Sequence, residues 1–293
     1  MKNFKVLIFS TVILWVGVVL LSSKIVNQLN QYKVNKEQIA EVLNFENRLL
    51  DAGEYVGDFL SFFDTGDEKI TTWDKLRKKA DVQYELALKM GFLLVVLVLI
   101  YLLTNYFTYQ STIEKERVLG IVFVFAALSF LFLGLQTPFL EVEAYNIDLK
   151  LTSGIFDGLS KTFDGRTYYL YQNKSVFQLI TLLFEGGNIL VGLCLVLFSI
   201  VFPLVKLFAS LFACLKPNTK VAQQSIKVIH KLGKWSMADV FISAVFLAVF
   251  SFANMNVGVD TASKTLIGYY FFLAFVFFSI VSGTFLKAVV KSK

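Results

Sequence analysis

Two charged residues sit where charge is expensive. Lys206 lies inside the apolar run FSIVFPLVKLFASLF, and Asp239 opens another, in GKWSMADVFISAVFLAV. A charge at membrane depth is tolerated chiefly by pairing, so one reading is a Lys206–Asp239 ion pair between consecutive helices. The other reading is plainer: Lys206 snorkels its ammonium to the interface, and Asp239 only caps a helix. Ser236 followed three residues on by Asp239 has capping-box spacing with Asp in place of Glu, which puts Asp239 in a first helical turn near the positive dipole end. Trp235 fits the aromatic belt of an interface. Pro203 removes a backbone donor and predicts a kink.

Catalytic chemistry finds no comparable set. The chain carries no G-x-S-x-G, Walker or H-E-x-x-H pattern and no cluster of acids within an apolar run. Cys194 and Cys214 fall on one apolar helix and His230, the single histidine, stands in a basic stretch, so neither a disulfide framework nor a zinc site is expected. The expectation is a protein that is not an enzyme, with no metal and no cofactor.

The elements that hold these residues are membrane spans. Of 293 residues, 56% are hydrophobic and only 17% charged, with 31 Phe, against about 45–50% and roughly 25% in soluble domains. Six apolar runs read as spans: 4–24, 90–109, 118–137, 187–213, 238–254 and 266–287, the fifth ended early by Asn254 and Asn256. The first run follows a basic start, as a signal peptide would, but no small-x-small cleavage site follows it, and it is read as an uncleaved span. Lys216, Lys220, Lys227, Lys231 and Lys234 fill 214–235 without an acid, and lysines flank both chain ends. The positive-inside rule then predicts a multi-pass membrane protein with both termini and the 214–235 stretch cytoplasmic. The net charge of +6 is an orientation signal, and no nucleic acid is expected.

Two segments then lie outside the cytoplasm. Residues 27–88 carry apolar positions such as Val34, Ile39, Val42, Leu49, Val82 and Leu86 at mostly helical spacings around a turn at Asp64–Asp67, which predicts an antiparallel helical hairpin extending spans one and two. Residues 138–175 predict a small β element. FLEVEAYNIDLKL alternates Leu140, Val142, Ala144 with Glu141, Glu143, Tyr145, then changes parity at Ile147, Leu149, Leu151, as two short strands or one bulged strand would. Arg166–Tyr171 predicts another strand after the turn pair Asp164–Gly165. Ser175 predicts the cap of a short amphipathic helix ending at Gly186–Gly187, too short to span and placed at the interface. The fold class is thus a membrane all-α protein with a small extracytoplasmic β element, divided into a two-span unit (1–117) and a four-span unit (118–293).

Taken together, Thr137–Pro138 after a span, the strands, SVFQLITLLFEGGNILVGLCLVLFSIVFPLVKLFASLF, the basic stretch and KWSMADVFISAVFLAV resemble the paraquat-inducible protein A family, also called PqiA or LetA. The likeness covers about 118–290, four of the six spans. It implies an inner-membrane protein that works beside periplasmic MCE-domain proteins and passes phospholipid between the inner membrane and that partner. Carried onto this chain, the motif residues are Pro203, Lys206, Trp235, Ser236, Met237, Asp239, Val240 and Phe241. Many members have two modules and cysteine-rich zinc ribbons; this chain has one module, no ribbon, and the 1–117 helical unit instead. Other readings of the same sequence are a membrane anchor or assembly factor for an envelope complex, and a stress-linked channel or exporter.

Overall fold

The computed structural model describes residues 2–50, 67–109, 112–152, 160–215 and 259–291, with a few positions between 217 and 244. In chain order these form α1 (Lys2–Val42), α2 (Phe45–Leu50), α3 (Asp67–Thr108), α4 (Thr112–Gln136), β1 (Leu140–Thr152), β2 (Ser160–Lys174), α5 (Val176–Glu185), α6 (Ile189–Leu215), β3 (Asp260–Thr265) and α7 (Ile267–Lys291). Among the described residues, five helices are long and apolar enough to cross a membrane: Ile13–Val42, Lys75–Thr108, Glu114–Gln136, Ile189–Leu215 and Ile267–Leu286. The chain is a multi-pass membrane protein. The expected fifth span, 238–254, lies outside the described residues.

The hairpin expected at 27–88 is the far half of two continuous helices. At 41 and 42 residues, α1 and α3 are each about 60 Å long, roughly twice the hydrocarbon core. They run antiparallel, tied by Thr11–Tyr101 at 2.8 Å, Gln31–Gln83 at 2.9 Å and Asn35–Gln83 at 2.7 Å. Their seam alternates steps of four and three: Val18, Ser22, Ile25, Leu29 and Tyr32 are all buried on α1, facing Ala80, Ala87 and Leu94 at heptad spacing on α3. Small alanines let the helices approach, so the larger apolar residues Val34, Val42, Val82 and Leu86 point outward and are exposed. Of the expected turn at Asp64–Asp67, only Asp67 is described, as the first residue of α3; the rest lies outside the described residues.

Helix α4 is the centre of the bundle, its apolar window 78% buried, and α7 packs along its length. The close approach is backbone to backbone. A Cβ on Gly134 would stand 2.9 Å from the Phe272 backbone, and one on Gly268 would stand 2.5 Å from the Pro138 carbonyl oxygen. Gly268 N–H donates to that oxygen at 3.1 Å and Leu266 N–H to Phe139 O at 3.1 Å, locking the α4–β1 junction to the β3–α7 junction. At the opposite end of α4, Arg117 donates to the carbonyls of Cys214 and Leu215, at 2.7 and 2.5 Å, and so caps the end of α6. Lys2 and Leu215 therefore lie at the end of the bundle remote from the sheet.

The sheet is antiparallel, in the order β2-β1-β3. Of the two sequence readings of β1, the single bulged strand is correct: its register with β2 shifts at Ala144/Tyr145 and again at Ile147/Leu149. The second shift explains the Asp164–Gly165 pair, which is not a turn before the strand but a bulge inside it. Gly165 takes φ 79°, opposite Asp148 at φ 51°, and donates its N–H to the Asp148 carboxylate at 2.8 Å. Strand β3 carries little β-propensity, in the sequence DTASKT, and its conformation comes from pairing with β1 from Leu140↔Thr265 to Tyr145↔Asp260.

Candidate functional site

Strand β1 sorts its side chains onto two faces in the reverse of the usual order. Glu141 and Glu143 are buried, whereas Leu140, Val142 and Ala144 between them stay partly exposed. The acids are inside because the far ends of α1 and α3 cover that face and bring hydroxyls with them. The Glu141 side chain is 1% exposed. It accepts Tyr32 Oη at 2.9 Å and Tyr171 Oη at 2.8 Å, and pairs with Lys264 Nζ at 3.1 Å. One carboxylate thereby joins α1, β1, β2 and β3. Lys264 sits directly across from it in the β1–β3 register and lies over the Tyr84 ring, itself 5.1 Å from the ring of Tyr32. Arg166 reaches Glu143 at 3.5 Å.

Burial alone would raise the Glu141 carboxyl, but the Lys264 ammonium and the Tyr171 hydroxyl outweigh it and hold Glu141 below the usual carboxylate range. Glu143 goes the other way, pushed up by burial and by the charge of Glu141 beside it. Tyr171 is pushed up too, by burial and the same charge, and stays a donor. Asn173, opposite Glu141 in the register, is fully buried. The outer edge of β2 is tied to the helical unit as well: Tyr168 N–H donates to Leu43 O at 2.8 Å, and Arg48 donates to the Thr167 hydroxyl at 2.8 Å.

Among the described residues, no element covers the other face of the sheet. Phe139, Leu140, Val142, Val176 and Leu179, rimmed by Gln172, Lys174 and Ser175, line a groove of about 160 Å³. One wall is α5, which Ser175 caps as expected, and the structure adds a reciprocal capping box with Gln178: Gln178 N–H donates to Ser175 Oγ at 3.3 Å and Ser175 N–H to Gln178 Oε1 at 3.1 Å. The same Oε1 accepts Lys33 Nζ from α1 at 2.6 Å. Gly187 ends the helix region at φ 76°. Phe177, Leu179, Leu182 and Phe184 of α5 are exposed, and so are Ile189, Leu190, Val191 and Leu193 where α6 begins.

Of the residues singled out in the sequence, Pro203 and Lys206 are described. Pro203 is buried in α6 directly after a π-helical turn, Leu197–Val201, in which Phe202 N–H bonds Leu197 O. The expected kink takes this form because the proline ring displaces the Ser199 carbonyl and lacks the N–H that would have met it; the wider turn makes the room. Lys206 is half-buried, its carbonyl accepting Ser210 Oγ at 2.9 Å. Trp235, Ser236, Met237, Asp239, Val240 and Phe241 lie outside the described residues, and the Lys206–Asp239 pair with them. What the sequence reading missed is Glu141 with its partners Tyr32, Tyr171 and Lys264. The available signal was that acids and tyrosines share the parity opposite Leu140 and Val142. Among the described residues, no three His, Cys, Asp or Glu side chains converge as a metal site requires.

Neither curated proteins nor solved structures yield a match to this chain. Residues 166–288, from the middle of β2 into α7 and so starting later than the resemblance from 118, match the family model PqiA, Paraquat-inducible protein A, and over this segment the chain is similar to that family.

Proposed function

We propose that this chain is a subunit of an envelope lipid-transport system in the bacterial inner membrane, passing phospholipid between that membrane and a periplasmic partner of the MCE type. In this reading it is not an enzyme. The chain ends and the lysine-rich 214–235 stretch face the cytoplasm, with the sheet outside. The observation that carries it is the apolar groove at the foot of the sheet: Phe139 and Leu140 lie within a few residues of the span end Gln136, and Val176 opens the short helix α5 that leads to the span beginning at Ile189. A lipid leaving the bilayer needs an apolar surface that starts at membrane level and continues above it, and burial of apolar area at about 25 cal/mol per Å² supplies the affinity. The largely uncovered α6, its apolar window only 17% buried among the described residues, leads to this groove from within the membrane. The anchor reading has its own support in the helical unit, but the contacts of that unit are with the chain's own sheet.

Photo-crosslinkers at Leu195, Ile200 and Leu204 of α6 and at Val142 of the groove, in the full chain in growing cells, are expected to capture phospholipid. Affinity purification is expected to recover an MCE-domain protein. Capture of no lipid at any of these positions would sink the transport reading, and a stoichiometric partner in its place would favour an anchor.

A further inference from the structure

We propose that the groove on the apolar face of the sheet is a headgroup-selective site for an anionic membrane phospholipid, with an acyl chain against Phe139, Leu140, Val142 and Leu179 and its phosphate at Lys174. This rests on the lipid-handling reading above and adds the charge class of the lipid.

Three observations lead here. The first is the reversed polarity of the sheet. Because the helical unit buries the Glu141 and Glu143 face, the face left uncovered among the described residues is the one a sheet normally hides, and an exposed apolar surface marks a binding site. The second is depth. The row Leu140, Lys174 and Thr265 stands four residues after Gln136 and two before Ile267, which end two spans. The amphipathic α5 lies alongside, ten residues long and about 15 Å in length, too short to cross. At that level the molecules available to an apolar groove are bilayer lipids.

The third is charge. Among the described residues, the groove lining contains one cation, Lys174, and no acid. Around it, Lys174 and Lys33 converge on one carboxylate: Glu37 Oε1 is 3.8 Å from Lys174 Nζ and 3.6 Å from Lys33 Nζ. Two ammonium groups against one carboxylate leave a positive charge, and the first turn of α5, at Ser175 and Val176, points its dipole to the same corner. A zwitterionic headgroup carries its own ammonium against this charge, whereas an acidic one does not. One lysine near a lipid phosphate is worth about 1 kcal/mol, or roughly a five-fold preference.

The test compares two positions in the same full-length chain in cells grown on radioactive phosphate. Benzoylphenylalanine at Leu179 samples the groove; at Phe212, near the other end of α6 and 58% exposed, it samples bulk lipid. The expected result is that lipid captured at Leu179 is enriched about five-fold in phosphatidylglycerol and cardiolipin over lipid captured at Phe212. Lys174→Gln is expected to abolish the enrichment, Lys33→Gln to reduce it and Lys174→Arg to keep it. Equal headgroup composition at the two positions overturns the proposal while lipid handling stands, and needs no lysine variant. Enrichment that survives Lys174→Gln also overturns it. Failure to capture lipid at Leu179 while Phe212 labels removes the groove from any lipid path.

Discussion

Tyr32 of α1 donates its hydroxyl to the Glu141 carboxylate of β1 at 2.9 Å, across 109 positions of sequence, with both side chains buried. This bond fastens the long helical unit to the sheet, and its energetics can be isolated. Hydrogen bonds to charged groups contribute about 1.5–3 kcal/mol. Tyr32→Phe is therefore expected to destabilise by about 2 kcal/mol. Glu141→Ala should cost about 3 kcal/mol or more, because two tyrosine hydroxyls lose a buried acceptor. In a double-mutant cycle read by thermal unfolding in detergent, the two changes should couple by at least about 1 kcal/mol. Additive losses would mean that the contact carries no energy of its own.

The two carboxylates of β1 should give opposite pH responses. Glu141 is held below its ordinary value of 4.5, so its contribution is complete above that value and is lost as pH falls through the lower folded-state value. Glu143 is raised above 4.5; the folded state favours its protonated form, and stability falls as pH rises from 4.5 through the raised value. Glu143→Gln is expected to gain stability relative to the parent chain at neutral pH and to converge with it in acid. Glu141→Gln is expected to lose most at neutral pH. Unfolding midpoints from pH 4 to 8 check both; parallel curves for all three proteins would refute the assignment.

The junction glycines make a packing test. Gly268→Ala puts a methyl group 2.5 Å from the Pro138 carbonyl oxygen, and Gly134→Ala puts one 2.9 Å from the Phe272 backbone. Overpacking of this kind costs about 1–3 kcal/mol, more where backbone has to move. A Cβ on Gly283, in the same helix as Gly268, meets nothing within 4 Å among the described residues, and Gly283→Ala should be neutral or gain up to about 1 kcal/mol from helix propensity. Midpoints that failed to separate Gly268→Ala from Gly283→Ala would show that α4 and α7 are not locked at this point.

The cap of α5 is a smaller lever. Ser175→Ala removes the acceptor for Gln178 N–H and should cost about 1 kcal/mol of helix stability. Gln178→Ala should cost more, because the same side chain also receives Lys33 from α1. Amide exchange at Gln178 and Leu179 checks the order; faster exchange in Ser175→Ala than in Gln178→Ala would reverse it.

Much of the architecture was legible in residue order. Apolar run length marked the five described spans, Ser175 marked a helix cap, and the parity change after Tyr145 marked either two short strands or one bulged strand, of which the structure shows the second. These are local properties: a span is recognised by its own composition, and a cap by its residue type. The spacing of Ile25, Leu29 and Tyr32 against Ala80 and Ala87 was present too, but alanines do not announce a seam as leucines do.

Strand β3 and the polarity of the sheet were decided only in three dimensions. DTASKT becomes a strand because β1 offers it an edge, not because Asp, Ser and Lys favour one. Alternation along FLEVEAYN determines that the acids share one face and the aliphatic residues the other, since side chains of a strand point alternately to its two sides. It cannot determine which face is covered. That was settled by α1, which brings Tyr32 over Glu141, and by β3, which brings Lys264 beside it. With hydroxyls and an ammonium supplied from distant sequence, the carboxylates could be buried, and the apolar row was left facing the open groove.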